Sequence, residues 1–275
     1  MIPLLEADAL IGLALREDIG DGDITTTSII RSPVSASARL IAQQRLVVAG
    51  LDIVQRVFEK LDPEVRVRKN HDDGEVVGTG EVILEIEGSA AALLAGERIA
   101  LNFIQRLSGI ATLTESFVAR VRSYPVKICD TRKTTPGWRA LEKYAVKMGG
   151  GTNHRIGLFD AVLIKDNHIK AAGSIEEAVR RVKGKLPAGF PLEVETRTLD
   201  EVREALSSGV NTIMLDNMST DMMREAVAFI NKRALVEASG NARLETVEGI
   251  AATGVDFISV GALTHSAPAA DISMK

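Results

Sequence analysis

Arg132, Lys133, His154, Arg155 and Lys165 are five basic side chains in one stretch of a chain whose formal net charge is -4. Arginine forks match carboxylates and phosphates in bidentate geometry, and lysine puts a compact charge on phosphate oxygens. Singly, each reads as a surface ion pair; together, they read as a site for a polyanion. Glu195 and Asp216 are carboxylates of the kind that hold Mg²⁺ jointly with substrate oxygens, or that neutralise Arg132 or Lys165. Ser239-Gly240-Asn241 reads as a turn from a strand directly into a helix, where backbone N–H groups and the positive helix end can cradle a phosphate. Gly261-Ala262-Leu263-Thr264 offers the same chance. Ordinary turn chemistry is the alternative for both. Gly149-Gly150-Gly151 matches neither the Walker nor the dinucleotide fingerprint and reads as the loop that delivers His154 and Arg155. The single cysteine, Cys129, excludes a disulfide framework and a multi-cysteine zinc site; it reads as a small buried hydrophobe.

These residues need elements to position them. The first ~95 residues read as an α+β module. It has a helix over 4–17, a polar loop over 16–27, strands over 36–42, 45–49, 65–67 and 82–87, and a short helix over 52–61. A long helix over 90–122 follows. Then six apolar runs alternate with five helical patterns. The runs are 126–130, 161–164, 192–195, 212–216, 234–238 and 257–260; the helices are 139–148, 174–183, 199–207, 220–231 and 243–252. Short apolar runs without alternation are expected of strands buried on both faces, and the βα alternation predicts a parallel sheet. Every one of the six runs ends in polar residues or glycine: Asp130-Thr131-Arg132-Lys133, Lys165-Asp166-Asn167-His168, Glu195, Asp216-Asn217, Ser239-Gly240-Asn241 and Gly261. That edge carries the active site in β/α barrels and the ligand crevice in doubly wound sheets. Six units are fewer than eight, so an α/β barrel would be incomplete or atypical; a doubly wound sheet is the alternative.

Composition narrows the function classes. The chain has 275 residues, 45% of them hydrophobic and 25% charged, as in ordinary globular proteins. From Glu97 to Lys170 there are 13 Lys and Arg against 6 Asp and Glu, a basic segment inside an acidic protein. A pI of 5.7 and 4% aromatic residues speak against nucleic acid. The longest uncharged run, 257–270, is shorter than the ~20 apolar residues of a membrane span. The amino-terminal helix carries Glu6, Asp8 and Arg16 and is not a signal sequence, so a cytoplasmic protein is expected.

The stretch DTRKTTPGWRALEKYAVKMGGGTNHRIGLFDAVLIKDNHI, residues 130–169, resembles the signature region of the quinolinate phosphoribosyltransferase family. REDIGDGDITT (16–26), ERIALNFIQRLSGIAT (97–112), IMLDNM (213–218), EASGN (237–241) and GVDFISVGALTHS (254–266) agree with it in order. The resemblance implies an N-terminal α/β sandwich domain over 1–98, a six- to seven-stranded α/β barrel over 99–262, and a tail, 263–275, that returns to the first domain. It implies transfer of a phosphoribosyl group from phosphoribosyl pyrophosphate to quinolinate with Mg²⁺, giving nicotinate mononucleotide, pyrophosphate and CO₂ in de novo NAD biosynthesis.

Carried over position by position, Arg132 and Arg155 hold the quinolinate carboxylates with His154 beside them. Lys133 and Lys165 contact phosphate or carboxylate. Glu195 and Asp216 face the ribose and the metal. Ser239, Gly240, Asn241 and Gly261 lie near the 5′-phosphate. Lys133, Lys165, Glu195 and Asp216 form the catalytic group, and Arg98 reaches the site from the partner protomer of a homodimer. The sequence departs from the family pattern at Glu195-Thr196-Arg197, where an apolar continuation is expected. Rival readings are a Schiff-base aldolase using Lys165, a related phosphoribosyltransferase that does not decarboxylate, a branch associated with molybdate transport, and a binding protein without catalysis.

Overall fold

The computed structural model describes residues 4–30, 32–187 and 189–275. The chain begins with α1 (Leu4–Ile19), α2 (Ile24–Ile29), β1 (Ser35–Ala42), β2 (Leu46–Val47), α3 (Leu51–Leu61), β3 (Arg66–Lys69), β4 (Val76–Val77), β5 (Val82–Ser89) and α4 (Ala90–Val121). It continues through β6 (Lys127–Cys129), α5 (Arg139–Met148), β7 (Val162–Ile164), α6 (Asp166–Ala172), α7 (Ile175–Lys183), β8 (Leu192–Thr196) and α8 (Leu199–Ser207). It ends with β9 (Thr212–Asp216), α9 (Thr220–Ile230), β10 (Leu235–Ser239), α10 (Val247–Ala251), β11 (Phe257–Ser259), α11 (Ala262–His265) and β12 (Ile272–Met274).

Two compact units share these elements. The first comprises residues 1–115, 133–150 and 262–275. Its four-stranded antiparallel sheet has the order β12-β1-β5-β3. β12 pairs with β1, Leu40 opposite Met274, so the carboxyl-terminal tail does return to the amino-terminal sheet. The stretch 16–27 is not the single loop expected. α1 runs on to Ile19, and Asp23 opens α2 by accepting the Thr26 N–H at 2.9 Å, because a short acidic side chain can satisfy the free amides of a first turn. α3 buries Ile53, Val54, Val57 and Phe58 on one face, and Asp73 accepts the Gly50 and Leu51 N–H groups at its start. α4 passes without a break through the domain boundary expected at residue 98. Within this unit, buried Glu142 on α5 accepts from Arg106 Nη2 at 2.8 Å and from Thr135 Oγ1 at 2.9 Å, tying α5 and the segment before it to α4.

The second unit comprises residues 116–132 and 151–261. Its six strands run parallel in the order β6-β11-β10-β9-β8-β7, as the βα alternation predicts. All five residues of β8 are buried. Thr152 makes a parallel bridge to Cys129, so the chain leading to His154 lies along β6 like a fragment of a further strand. Cys129 itself is buried. Two helical expectations change. α6 starts directly after Lys165, where only a polar strand end was expected. α10 is confined to Val247–Ala251 rather than 243–252. Ser239-Gly240-Asn241 therefore does not enter a helix directly, and the helix-end phosphate cradle expected there is absent; Gly240 (φ 93°) and Asn241 (φ 53°) turn the chain into an intervening loop instead.

Candidate active site

The carboxyl edge of the six-stranded sheet carries a chain of alternating charges. Lys165, just past β7, places Nζ 2.9 Å from Glu195 Oε2. Arg197, one residue beyond β8, reaches three carboxylates: Asp166 at 3.4 Å, Glu195 at 3.7 Å and Asp216 at 3.4 Å. Glu195 is buried, whereas Lys165 and Arg197 are exposed enough to exchange partners. Asp216 Oδ2 also accepts from Asn217 Nδ2 at 3.0 Å, and Asn217 Oδ1 accepts from Asn241 Nδ2 at 3.0 Å. The loops after β9 and β10 are thus joined. Ser239 O accepts the Asn217 N–H at 2.8 Å. Asn217 and Asn241 both adopt positive φ, at 56° and 53°, the left-handed region that Asn tolerates better than most residues. Gly240 fits the junction because a Cβ there would lie 2.2 Å from Asn217 Oδ1. Gly261 is the second residue after β11.

A second polar layer is buried among the strands of the same sheet. Side chains alternate along a strand, so Glu193 shares a face with Glu195, and Glu237 shares one with Ser239. His154 Nε2 lies 2.9 Å from Glu193 Oε2 and 3.5 Å from Glu237 Oε2. Ser259 Oγ donates to Glu237 Oε1. His154 Nδ1 accepts the Arg155 N–H at 2.8 Å, and the His154 N–H donates to Asp130 Oδ1 at 2.9 Å. Arg155 Nη1 donates to Ala161 O at 3.1 Å. With His154 and Glu193, Arg155 lines a cavity of about 220 Å³ that reaches the first residues of several strands, among them Leu192, Leu235 and Phe257.

The electrostatics of this layer are unusual. Burial, and then the like charge of Arg132, push Arg155 below its ordinary range. Two guanidinium groups held within mutual influence are relieved when an anion enters. Burial disfavours a charged His154 ring, whereas its carboxylate partners Glu193 and Glu237 favour one. A second ring proton would have to sit on Nδ1, where it would face the Arg155 N–H. The geometry instead leaves the ring proton on Nε2 and an additional proton on Glu193, whose pKa burial raises.

Could the carboxylates hold a metal? His154, Glu193 and Glu237 have ligand atoms within 4.8 Å of one another. A metal-bound histidine donates its other ring N–H to an acceptor; here Nδ1 faces a donor, so binding through Nε2 would require an imidazolate. This cluster is therefore unsuited to a metal. Glu195 pairs with Lys165 and Arg197, and Asp216 with Arg197, so Mg²⁺ ligated directly by the two carboxylates would have to displace those cations.

In the other unit, Arg98 is exposed on α4 and Lys133 is exposed ahead of α5. The Lys133 carbonyl accepts from Thr264 Oγ1 at 2.9 Å. Of the predicted residues in the parallel-sheet unit, Lys165, Glu195, Asp216 and Asn241 join through Arg197 and Asn217. His154 and Arg155 belong to the inner layer. Sequence reasoning missed Glu193 and Glu237, and it noted Arg197 and Asn217 without giving either a role at the site. The Glu-x-Glu spacing of 193 and 195 on a short strand is the signal that could have found the inner layer.

Comparison with known proteins gives this arrangement its context. Residues 23–108 match the quinolinate phosphoribosyl transferase N-terminal domain, and residues 110–275 match the C-terminal domain. The chain belongs to the quinolinate phosphoribosyltransferase family. It is 46% identical over 270 residues to the probable nicotinate-nucleotide pyrophosphorylase [carboxylating] of Bacillus subtilis, covering 98% of this chain and 93% of that one. It is 45% identical over 276 residues to the protein of the same name from Synechocystis sp., covering 99% and 93%. The crystal structure of NadC from Streptococcus pyogenes superposes with a TM-score of 0.96 at 42% identity, covering 100% of this chain and 97% of that one. In family terms, the basic stretch and both carboxylates fall inside the C-terminal match, and Arg98 falls inside the N-terminal one.

Proposed function

We infer that this chain transfers the phosphoribosyl group of phosphoribosyl pyrophosphate to quinolinate and releases CO₂, forming nicotinate mononucleotide and pyrophosphate in de novo NAD synthesis. The observation that carries this is family membership along nearly the whole chain at about 45% identity, joined to a site built for polyanions. Quinolinate has two adjacent carboxylates. Arg132 and Arg155, close enough to repel, are suited to receive them as charge-assisted pairs. Lys165 and Arg197 can turn towards phosphate while Glu195 and Asp216 stay at the strand ends. Negative charge there favours positive character at the ribosyl carbon as pyrophosphate departs.

Much of the acceleration then comes from holding two mutually repelling anions together. Once the pyridine nitrogen is quaternised, its positive charge stabilises the electron pair left on the adjacent ring carbon as CO₂ departs, and that carbon then takes up a proton from water. The loops of Asn217, Gly240, Asn241 and Gly261 form our candidate seat for the 5′-phosphate. Mg²⁺ belongs to this reading as a companion of the pyrophosphate oxygens rather than a direct ligand of Glu195 and Asp216. We also propose a cytoplasmic homodimer in which Arg98 serves the partner's site. No helix among the described residues is long and apolar enough to cross a membrane.

The test is direct. Protein, Mg²⁺, phosphoribosyl pyrophosphate and quinolinate labelled in the 2-carboxylate are mixed, and pyrophosphate and labelled CO₂ are followed. Equal amounts of both are expected. Pyrophosphate release without CO₂ would overturn the decarboxylating assignment, and borohydride trapping of a carbonyl substrate on Lys165 would favour the aldolase reading.

A further inference from the structure

We propose that Glu193 and Glu237 are positioning residues that act through His154 to aim Arg155, and that the His154 ring is a structural link rather than a donor to substrate. This rests on the reading of Arg155 as a quinolinate contact. Both ring nitrogens face the protein. Nδ1 accepts the Arg155 N–H at 2.8 Å, and Nε2 lies 2.9 Å from Glu193 and 3.5 Å from Glu237. A nitrogen that accepts an amide hydrogen carries no proton of its own, so the ring is the Nε2–H tautomer. Its single N–H is shared by two carboxylates on β8 and β10.

Those carboxylates are fixed in turn. Glu193 and Glu237 are 7% and 3% exposed, and Ser259 on β11 donates to Glu237. Among the described residues, Glu193 Oε1 is buried with no hydrogen-bond partner, which suits a neutral carboxyl better than a full charge. Rotation of the ring would break either the amide bond or the contact to the carboxylates. The main chain has an independent anchor, since Asp130 accepts the His154 N–H at 2.9 Å. Strands β8, β10 and β11 thus converge on the peptide that starts Arg155. A side chain that must meet a planar carboxylate in bidentate geometry needs such a support, because a small error in its root is enlarged at the guanidinium.

The chemistry separates two substitutions at one position. Glu193→Gln retains an acceptor for Nε2–H and resembles the neutral carboxyl. Glu193→Leu removes the acceptor at similar size. We expect Glu193→Leu to raise the quinolinate KM by about tenfold, as loss of one well-placed contact does, with the phosphoribosyl pyrophosphate KM within about twofold, the scatter of a site left intact. Glu193→Gln should restore most of the loss. Imidazole ¹⁵N spectra of the wild-type protein should show one of its four histidines, assigned by its absence in His154→Gln, with unprotonated Nδ1 and protonated Nε2. Glu193→Leu should move that signal. A wild-type His154 with protonated Nδ1 would overturn the proposal without any variant having to fold. So would equal KM changes for both substrates in Glu193→Leu. If Arg155→Ala leaves the quinolinate KM unchanged while the tautomer is as stated, the role of Arg155 fails and the positioning network stands.

Discussion

Gly240→Ala should separate geometry from composition at the candidate phosphate loop. Gly240 sits at φ 93°, and an added Cβ would lie 2.2 Å from Asn217 Oδ1 and 2.6 Å from its Cγ. Forcing an L-residue into that backbone region costs roughly 1–2 kcal/mol. The clash must also displace Asn217, which forfeits the bond from Asn241, worth about 0.5–1.5 kcal/mol. A total of about 2–3 kcal/mol follows, and at ~2–4 °C per kcal/mol for a chain of this size Tm should fall by roughly 5–10 °C. Gly249→Ala is the internal control. Gly249 lies exposed in α10 with nothing within 4 Å of an added Cβ. There the exchange should stabilise by about 0.5–1 kcal/mol through the higher helix propensity of alanine. Calorimetry on both variants gives the stability arm. Steady-state kinetics gives the functional arm: Gly240→Ala should raise the phosphoribosyl pyrophosphate KM by about tenfold, equivalent to ~1.4 kcal/mol, and Gly249→Ala should not. Equal Tm shifts for the two variants, or an unaltered KM in Gly240→Ala, would refute the loop as a phosphate seat held open by the missing side chain.

Arg155→Ala should weaken quinolinate binding by about 1.5–3 kcal/mol, the value of a hydrogen bond to a charged group, and phosphoribosyl pyrophosphate binding far less; titration calorimetry with each substrate decides. Asp8, drawn to about 2 by its hydrogen bonds with Arg56 and Lys60 against the opposing effect of burial, should stabilise the fold fully above its unfolded pKa near 3.8 and lose that effect as pH falls through about 2. The Tm deficit of Asp8→Asn should accordingly be constant from pH 5 to pH 8 and shrink below pH 4; a deficit that grows on acidification would contradict the pairing. Arg98→Ala and Arg132→Ala, each nearly inactive, should regain about a quarter of their sites when unfolded and refolded together, because one site of each mixed two-fold dimer then carries both defects and the other neither. No recovery, with mixed dimers confirmed by differential tags, would exclude a shared site.

The strands of the parallel sheet were legible because burial on both faces leaves its mark as short apolar runs, and because each run stops at polar residues or glycine. Thr212–Asp216 is found as expected, and β8 extends only one residue further, to Thr196. What escaped was local and long-range in equal measure. α2 is built on Ile24-Thr25-Thr26-Thr27, residues of modest helix propensity, and depends on the Asp23 cap. α6 opens with Asp166-Asn167-His168, which reads as a polar strand end until His168 Nδ1 is seen to accept the Lys165 N–H at 3.0 Å. β4 and β12 are two and three residues long, too short for periodicity, and β12 exists only through pairing with a strand more than two hundred residues away.

The site divides along the same line. Residue type alone singled out Arg132, Arg155, Lys165, Glu195 and Asp216, since cations and carboxylates at strand ends are conspicuous. Arg197 was noticed only as a break in an expected apolar pattern, yet it joins Asp166, Glu195 and Asp216. That position explains the break: with Glu195 8% exposed and Asp216 14% exposed, two partly dehydrated carboxylates need a counter-charge, and an apolar residue there would leave them costly. It also explains how a chain of net charge -4 can receive two polyanions. Charges beyond about 8 Å are largely screened at physiological salt, so on the reading proposed above an incoming anion would respond to Lys165 and Arg197, both half exposed, rather than to the acidic total. The global charge bears on solubility, whereas on this reading the order of charges along the carboxyl edge would bear on recognition.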